Sequence, residues 1–201
     1  MPQVQVLSPR PYKIKPPILG GFIFAYTFLC FINIKKKKFN LYKSVEEIPF
    51  QKMPEPDEEY KLISAGGFSV ASIVLYCAEI QEIDKLYIST LRVGKKELRA
   101  LIEAAEEGMI KKVKILCGSI MKKDSVVGKS YGYWDELSKT CKNQKWGLKI
   151  ANNHSKVVLM QCGKDYYVIE TSSNFNENPK MEQFSICNDK KLFDFYKEAI
   201  F

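Results

Sequence analysis

The sequence predicts a layered α/β domain, a mixed and largely parallel central sheet flanked by helices, with an apolar and basic N-terminal extension ahead of it. Three observations lead there. From residue 59 onward, apolar runs of strand length alternate with amphipathic runs of helix length. The proline- and acid-rich stretch PFQKMPEPDE at 49–58 separates this alternation from what precedes it. The 201 residues, 46% apolar and 27% charged, are enough for one folded core and exclude a mostly disordered chain. The organisation that follows is an extension over 1–50, a linker over 51–58 and a domain over 59–201.

Residues 18–34, ILGGFIFAYTFLCFINI, are an uncharged run of 17 followed by Lys35 to Lys38. That length sits at the short limit for a membrane-spanning helix. The aromatic and β-branched content also suits buried strands, with Gly20-Gly21 as a turn. Basic residues on both sides leave the orientation of a span undetermined, and no small-residue cleavage site follows. A membrane anchor and a packed element both remain open.

In the domain, Glu59–Ser64 reads as a strand and Ala65-Gly66-Gly67 as a turn. Phe68–Glu82 reads as a helix with Ile73, Cys77 and Ile80 along one face. Lys85–Thr90 is a strand. Lys95–Glu107 is a helix in which Leu98, Leu101, Ile102 and Ala105 share a face, stopped by Gly108. Lys112–Cys117 is a strand, Tyr131–Lys142 a helix, and Trp146–Ala151 begins another strand. From Lys149 the pattern becomes a strand pair: IANNHSKVVLMQ, the turn Cys162-Gly163-Lys164-Asp165, then YYVIETSSN. The chain closes on an apolar helical run, KLFDFYKEAIF.

Thirty-one basic against 23 acidic residues give a net charge of +8, which points to an anionic partner. Its distribution is uneven. Residues 1–50 hold Arg10, Lys13, Lys15, Lys35 to Lys38 and Lys43 against Glu46 and Glu47, so most of the excess lies outside the domain. Six cysteines (Cys30, Cys77, Cys117, Cys141, Cys162, Cys187) show no CxxC or Cys/His spacing, and His154 is the only histidine. That pattern excludes structural zinc and fits free thiols in a reducing cytoplasm.

The chemistry-bearing residues gather on the strand pair. His154 and Lys156 share a face by strand alternation, and so do Ser172 and Asn174 on the returning strand. An imidazole, an ammonium, a hydroxyl and an amide at one end of two paired strands suit a phosphate. Lys156 offers a point charge, while Ser172 and Asn174 offer neutral donors. His154 is the candidate nucleophile, and Glu182 a candidate to hold one ring nitrogen. The same polar run is also what an ordinary turn before Pro179 looks like.

The run His154-Ser155-Lys156, a hairpin, then Thr171-Ser172-Ser173-Asn174 with Glu182 behind, resembles the HxK…GSxN half-site of the phospholipase D superfamily. The downstream string SNFNENPKMEQFSI is similar to single-motif phospholipase D-like proteins of phages and mobile elements. The resemblance covers residues 59–201 and not the first 50. Two positions depart from it: Gln161 stands where the family has aspartate, and Thr171 where it has glycine.

The resemblance implies a phospholipase D-like layered sandwich and metal-independent, cofactor-free phosphodiester hydrolysis through a phosphohistidine on His154. Lys156 and Asn174 would hold the phosphoryl oxygens. A second histidine must protonate the leaving oxygen, and a chain with one histidine obtains it only from a second copy, so a homodimer is expected. The basic charge and the absence of a secretory signal favour a nuclease acting on DNA or RNA. A non-catalytic nucleic-acid-binding module is the alternative, as is a membrane-associated phospholipid hydrolase anchored through residues 18–34.

Overall fold

A computed structural model describes residues 29–32, 39–42, 52–64, 69–128, 133–176 and 180–201. Two short strands, β1 (Leu29–Ile32) and β2 (Phe39–Tyr42), pair antiparallel with each other. The rest of the 18–34 run and the Lys35–Lys38 block lie outside the described residues. No helix among the described residues is long and apolar enough to cross a membrane.

The domain is built from β3 (Glu59–Ser64), α1 (Val70–Ile80), β4 (Lys85–Thr90), α2 (Lys95–Glu106), β5 (Val113–Gly118), α3 (Ile120–Val126), α4 (Trp134–Asn143), β6 (Gly147–Ala151), β7 (Val157–Cys162), β8 (Asp165–Thr171), β9 (Glu182–Asn188) and α5 (Lys190–Ile200). The strands form one seven-stranded sheet in the order β3-β9-β8-β7-β4-β5-β6. Its mixed character is as expected, but the share of parallel pairing is smaller. Only β4–β5 and β5–β6 pair parallel, and the four other pairings are antiparallel. The reason is local. Helical crossovers return the chain in the same direction, whereas the short connection at Gly163 (φ +59°) reverses it.

Two apolar layers clamp the sheet. The larger packs Ile73, Val74 and Cys77 of α1, Leu98 and Leu101 of α2, Met121 of α3 and Leu137 of α4 onto Leu62, Ile88, Ile115, Val158, Ile169 and Ile186. The smaller packs Phe193 of α5 onto Val157, Leu159 and Val168, with Tyr87 and Tyr166 edge-on to its ring. Because both faces are covered, β7 is buried along most of its length, as its continuous VVLM run requires. Helix α5 starts at an Asp189 cap that accepts from the Lys191 and Leu192 amides at 2.8 and 3.0 Å. Four described cysteines are fully buried. Burial pushes the thiols of Cys117 and Cys162 up to about 11 and that of Cys141 to about 12, which keeps them protonated at neutral pH.

Of the stretch read as a linker, Met53 is buried in the larger core and Pro56 bridges to Asn188, so residues 52–58 lie against the domain. The sequence reading also runs one strand from Lys149 into the 157–162 segment. The structure breaks it: residues 147–151 belong to β6 at the sheet edge, and β7 begins at Val157 beside β4.

Candidate active site

That break creates the site. To pass from the edge strand β6 to its place beside β4, the chain must cross the ends of β5 and β4, and residues 152–156 make the crossing. Strand directions bring everything else to the same edge. Strands β4, β5 and β6 end there and β7 begins there; β8 ends, β9 begins and β3 ends at the same edge. Thr90, Gly118, Lys156, Ser172, Glu182 and Ser64 therefore lie along one rim.

The crossing is stitched down by Asn153. Its Nδ2 donates to Ser89 Oγ (3.1 Å) and Thr90 O (3.1 Å), both on β4, and faces Leu116 O of β5 at 3.5 Å. Its Oδ1 accepts from the Ser155 amide (3.1 Å) and the Ser155 hydroxyl (2.7 Å). Gly118 is a close-approach position, because a Cβ there would stand 2.8 Å from Leu91 O and 3.0 Å from Asn153 O.

The structure brings His154 and Lys156 together on one side of the chain, with Lys156 Nζ 3.1 Å from His154 Nδ1 and 3.0 Å from the His154 carbonyl. His154 is exposed and Lys156 half-buried. Burial holds the Lys156 ammonium below the usual lysine range, and the Glu182 carboxylate partly offsets this. The Thr171 amide donates to the Lys156 carbonyl at 3.2 Å, which ties the end of β8 to the start of β7.

Ser172 and Glu182 form a second pair. The Ser172 hydroxyl donates to Glu182 Oε2, and the Gln183 amide donates to Ser172 Oγ at 3.0 Å. Glu182 is 7% exposed, so its carboxylate sits in the wall of the site and not in solvent. One ring nitrogen of His154, Nδ1, faces Lys156. An ammonium has no acceptor, so in this arrangement Nδ1 accepts and the neutral ring carries its proton on Nε2.

Asn174 lies two residues beyond Ser172. Its neighbour Phe175 is docked on the β4 side, donating from its amide to Thr90 Oγ1 (3.0 Å) and accepting from the Gly94 amide (2.7 Å). Asn174 Oδ1 is turned inward, buried and without a hydrogen-bond partner. Among the described residues, no hydrogen bond joins Asn174 to the His154–Lys156 pair.

The two departures from the family motif fall in different places. Gln161 pairs with Lys85 and Tyr166 at the opposite end of β7, about 16 Å from Lys156 at strand rise. Thr171 is near the site, where its hydroxyl donates to Gln183 O (2.8 Å) and accepts from the Ser173 amide (2.9 Å). It braces the turn that a glycine would leave free. Among the described residues, no three His, Cys, Asp or Glu side chains lie close enough to hold a metal ion.

Sequence reasoning missed Asn153, Ser89, Ser155 and the Arg92–Asp124 ion pair (2.7 Å) beside the rim. A signal was available for the first: ANNHSK is a polar interruption between two apolar strands, which reads better as a crossing loop than as strand.

Comparison with known structures agrees with this topology. The phosphatidylserine synthase of Haemophilus influenzae superposes with a TM-score of 0.50 at 17% identity, covering 82% of this chain and 41% of that one. The chain has the phospholipase D-like fold. The polyphosphate kinase of Porphyromonas gingivalis (TM-score 0.49, 15% identity, 72% of this chain and 23% of that one) is also similar. So is NucT of Helicobacter pylori (TM-score 0.47, 15% identity, 71% and 93%). The chain spans less than half the length of the synthase and of the kinase. No family model matches the sequence, and a search of curated proteins finds no relative.

Proposed function

We propose that the protein is a metal-independent phosphodiesterase, a nuclease acting on DNA or RNA, whose nucleophile is His154. One observation carries the reading: His154, Lys156, Ser172 and Glu182 meet on one rim with the imidazole exposed and the ammonium 3.1 Å from it. An incoming phosphodiester competes for the Lys156 ammonium and draws it off the ring, because an anionic oxygen is a stronger acceptor than imidazole. Lys156 and the Asn174 amide then hold the non-bridging oxygens, where charge builds as the reaction proceeds.

The imidazole lone pair attacks phosphorus. An N–P bond forms and the P–O bond to the leaving sugar oxygen breaks, leaving a phosphohistidine. That oxygen needs a proton, and the following water must lose one as it displaces the imidazole. The sole histidine of this chain is already committed as nucleophile, so the acid–base group comes from a second copy across a two-fold axis. The basic excess of residues 1–50 supports a nucleic-acid substrate, since lysine and arginine contacts to a phosphate backbone need no sequence reading.

The test is cleavage of DNA, RNA and a generic phosphodiester in EDTA by the purified chain and by His154→Ala. The expected outcome is EDTA-resistant cleavage that falls by about 10⁴-fold or more in the variant, from a protein that sediments as a dimer. Cleavage that requires added metal, or that survives the substitution, overturns the mechanism. Salt-sensitive nucleic-acid binding without cleavage in any buffer replaces it with a binding module.

A further inference from the structure

We infer that Asn153 is a positioning residue that sets the His154 imidazole by closing a one-way ring of hydrogen bonds with Ser89 and Ser155. The directions follow from the partners. The Ser155 amide can only donate, so the Asn153 atom it meets at 3.1 Å is the oxygen. The other end of the amide faces the Thr90 and Leu116 carbonyls, which can only accept, so it is the nitrogen. Oδ1 carries no hydrogen, so the Ser155 hydroxyl spends its single proton on it at 2.7 Å. Ser89 must then donate in the 2.6 Å contact between the two hydroxyls, while accepting from Asn153 Nδ2 at 3.1 Å. Each hydroxyl gives once and takes once. The circuit runs from Asn153 to Ser89 to Ser155 and back, with Ser89 1% exposed. Aligned donors of this kind polarise one another in a low-dielectric setting.

His154 lies between two members of the ring. Its backbone is held from both sides while its side chain stays exposed, the arrangement a nucleophile needs in order to meet substrate without reorganising. Ser89 brings the anchor from β4, so the ring fixes His154 to a strand beside the central strand of the sheet and not to its own loop. The ring has no contact with substrate in this reading; it acts through the residue it encloses.

The inference rests on His154 as nucleophile, and its test has a readout that does not. His154 is the only histidine, so NMR of the full chain gives one set of imidazole ring C–H signals. Asn153→Asp keeps the shape but sets an oxygen against two carbonyls and strips Ser89 of its donor. Ser155→Ala opens the ring without adding charge, and Ser155→Thr keeps the hydroxyl. The expected result is a single sharp set in the native chain and in Ser155→Thr. Displaced or multiple sets are expected in Ser155→Ala and, where it folds, in Asn153→Asp. Turnover falls with them by about tenfold to a hundredfold while KM stays within about twofold. Ile73→Val, in the larger apolar layer on the other face of the sheet from Ser89, is the control for general destabilisation and leaves the ring signals as in the native chain. Unchanged ring signals in a folded Ser155→Ala chain, or equal changes in Ile73→Val, overturn the inference. A native chain that cleaves nothing overturns the nuclease reading and leaves the NMR outcome to decide this one.

Discussion

The parallel strands β4, β5 and β6 and the antiparallel strands β7, β8, β9 and β3 end at the same rim but bring different chemistry to it. The parallel side supplies mostly neutral groups: the Ser89 and Thr90 hydroxyls, the Thr90 and Leu116 carbonyls, and the bare backbone at Gly118. The antiparallel side supplies the titratable ones: His154 and Lys156 just before β7, and Glu182 at the start of β9. Antiparallel pairing of β7, β8 and β9 carries those three to the same end of the sheet. Helical crossovers give the other side a rigid wall to fasten them to. Between them, the crossing 152–156 has few apolar contacts of its own and depends on polar ties to both.

Three further substitutions probe this division, beginning with the largest expected effect. Phe193→Ala removes the ring at the centre of the smaller apolar layer, which seals mainly the antiparallel strands. It should cost about 3–5 kcal/mol in urea unfolding, with amide exchange accelerating in β7 and β8 before β5 and β6. Equal acceleration in both sets would break the distinction. Gly118→Val strikes from the parallel side, since its Cβ has only 2.8 Å to Leu91 O and 3.0 Å to Asn153 O. A loss of about 1–3 kcal/mol is expected, with the His154 ring signals displaced although no residue of the antiparallel half has changed. Glu182→Gln has the smallest effect, one on pH dependence. Glu182 raises an ammonium that burial has lowered, so removing its charge lets Lys156 lose its proton at lower pH. The alkaline limb of kcat/KM should move toward neutral, and a limb that stays in place or moves upward counts against Lys156 as the phosphate-holding cation.

Much of this was legible in the sequence wherever one physical signal dominated. Strand β4 stands at Lys85–Thr90 as its alternation requires, and α2 begins at Lys95 with Leu98 and Leu101 buried on the apolar stripe. The facing of His154 and Lys156 follows from their spacing of two. What escaped had weaker or competing signals. Helix α3 is only seven residues long, too short for a helical period to show, and four of the seven residues of β9 are polar. Asn153 escaped for another reason: its role depends on β4 and β5, more than thirty residues away in the chain, which no local pattern reports. The contact of Lys156 with His154 Nδ1 was not legible, because strand alternation places residues on a face but says nothing about which polar tips meet.

The position of β3 has a consequence for how the molecule is made. Within the seven-stranded sheet it pairs only with β9, Glu59 opposite Cys187 and Ser64 opposite Glu182. The first strand of the sheet to leave a ribosome therefore waits for the last, a gap of about 6–25 s at ordinary rates of synthesis. Glu182 is itself one of those late partners. Until it arrives, the hairpin that carries His154 and Lys156 can form, but without the carboxylate that favours the charged form of Lys156. The rim gains its charge balance and the sheet its closing strand in the same event.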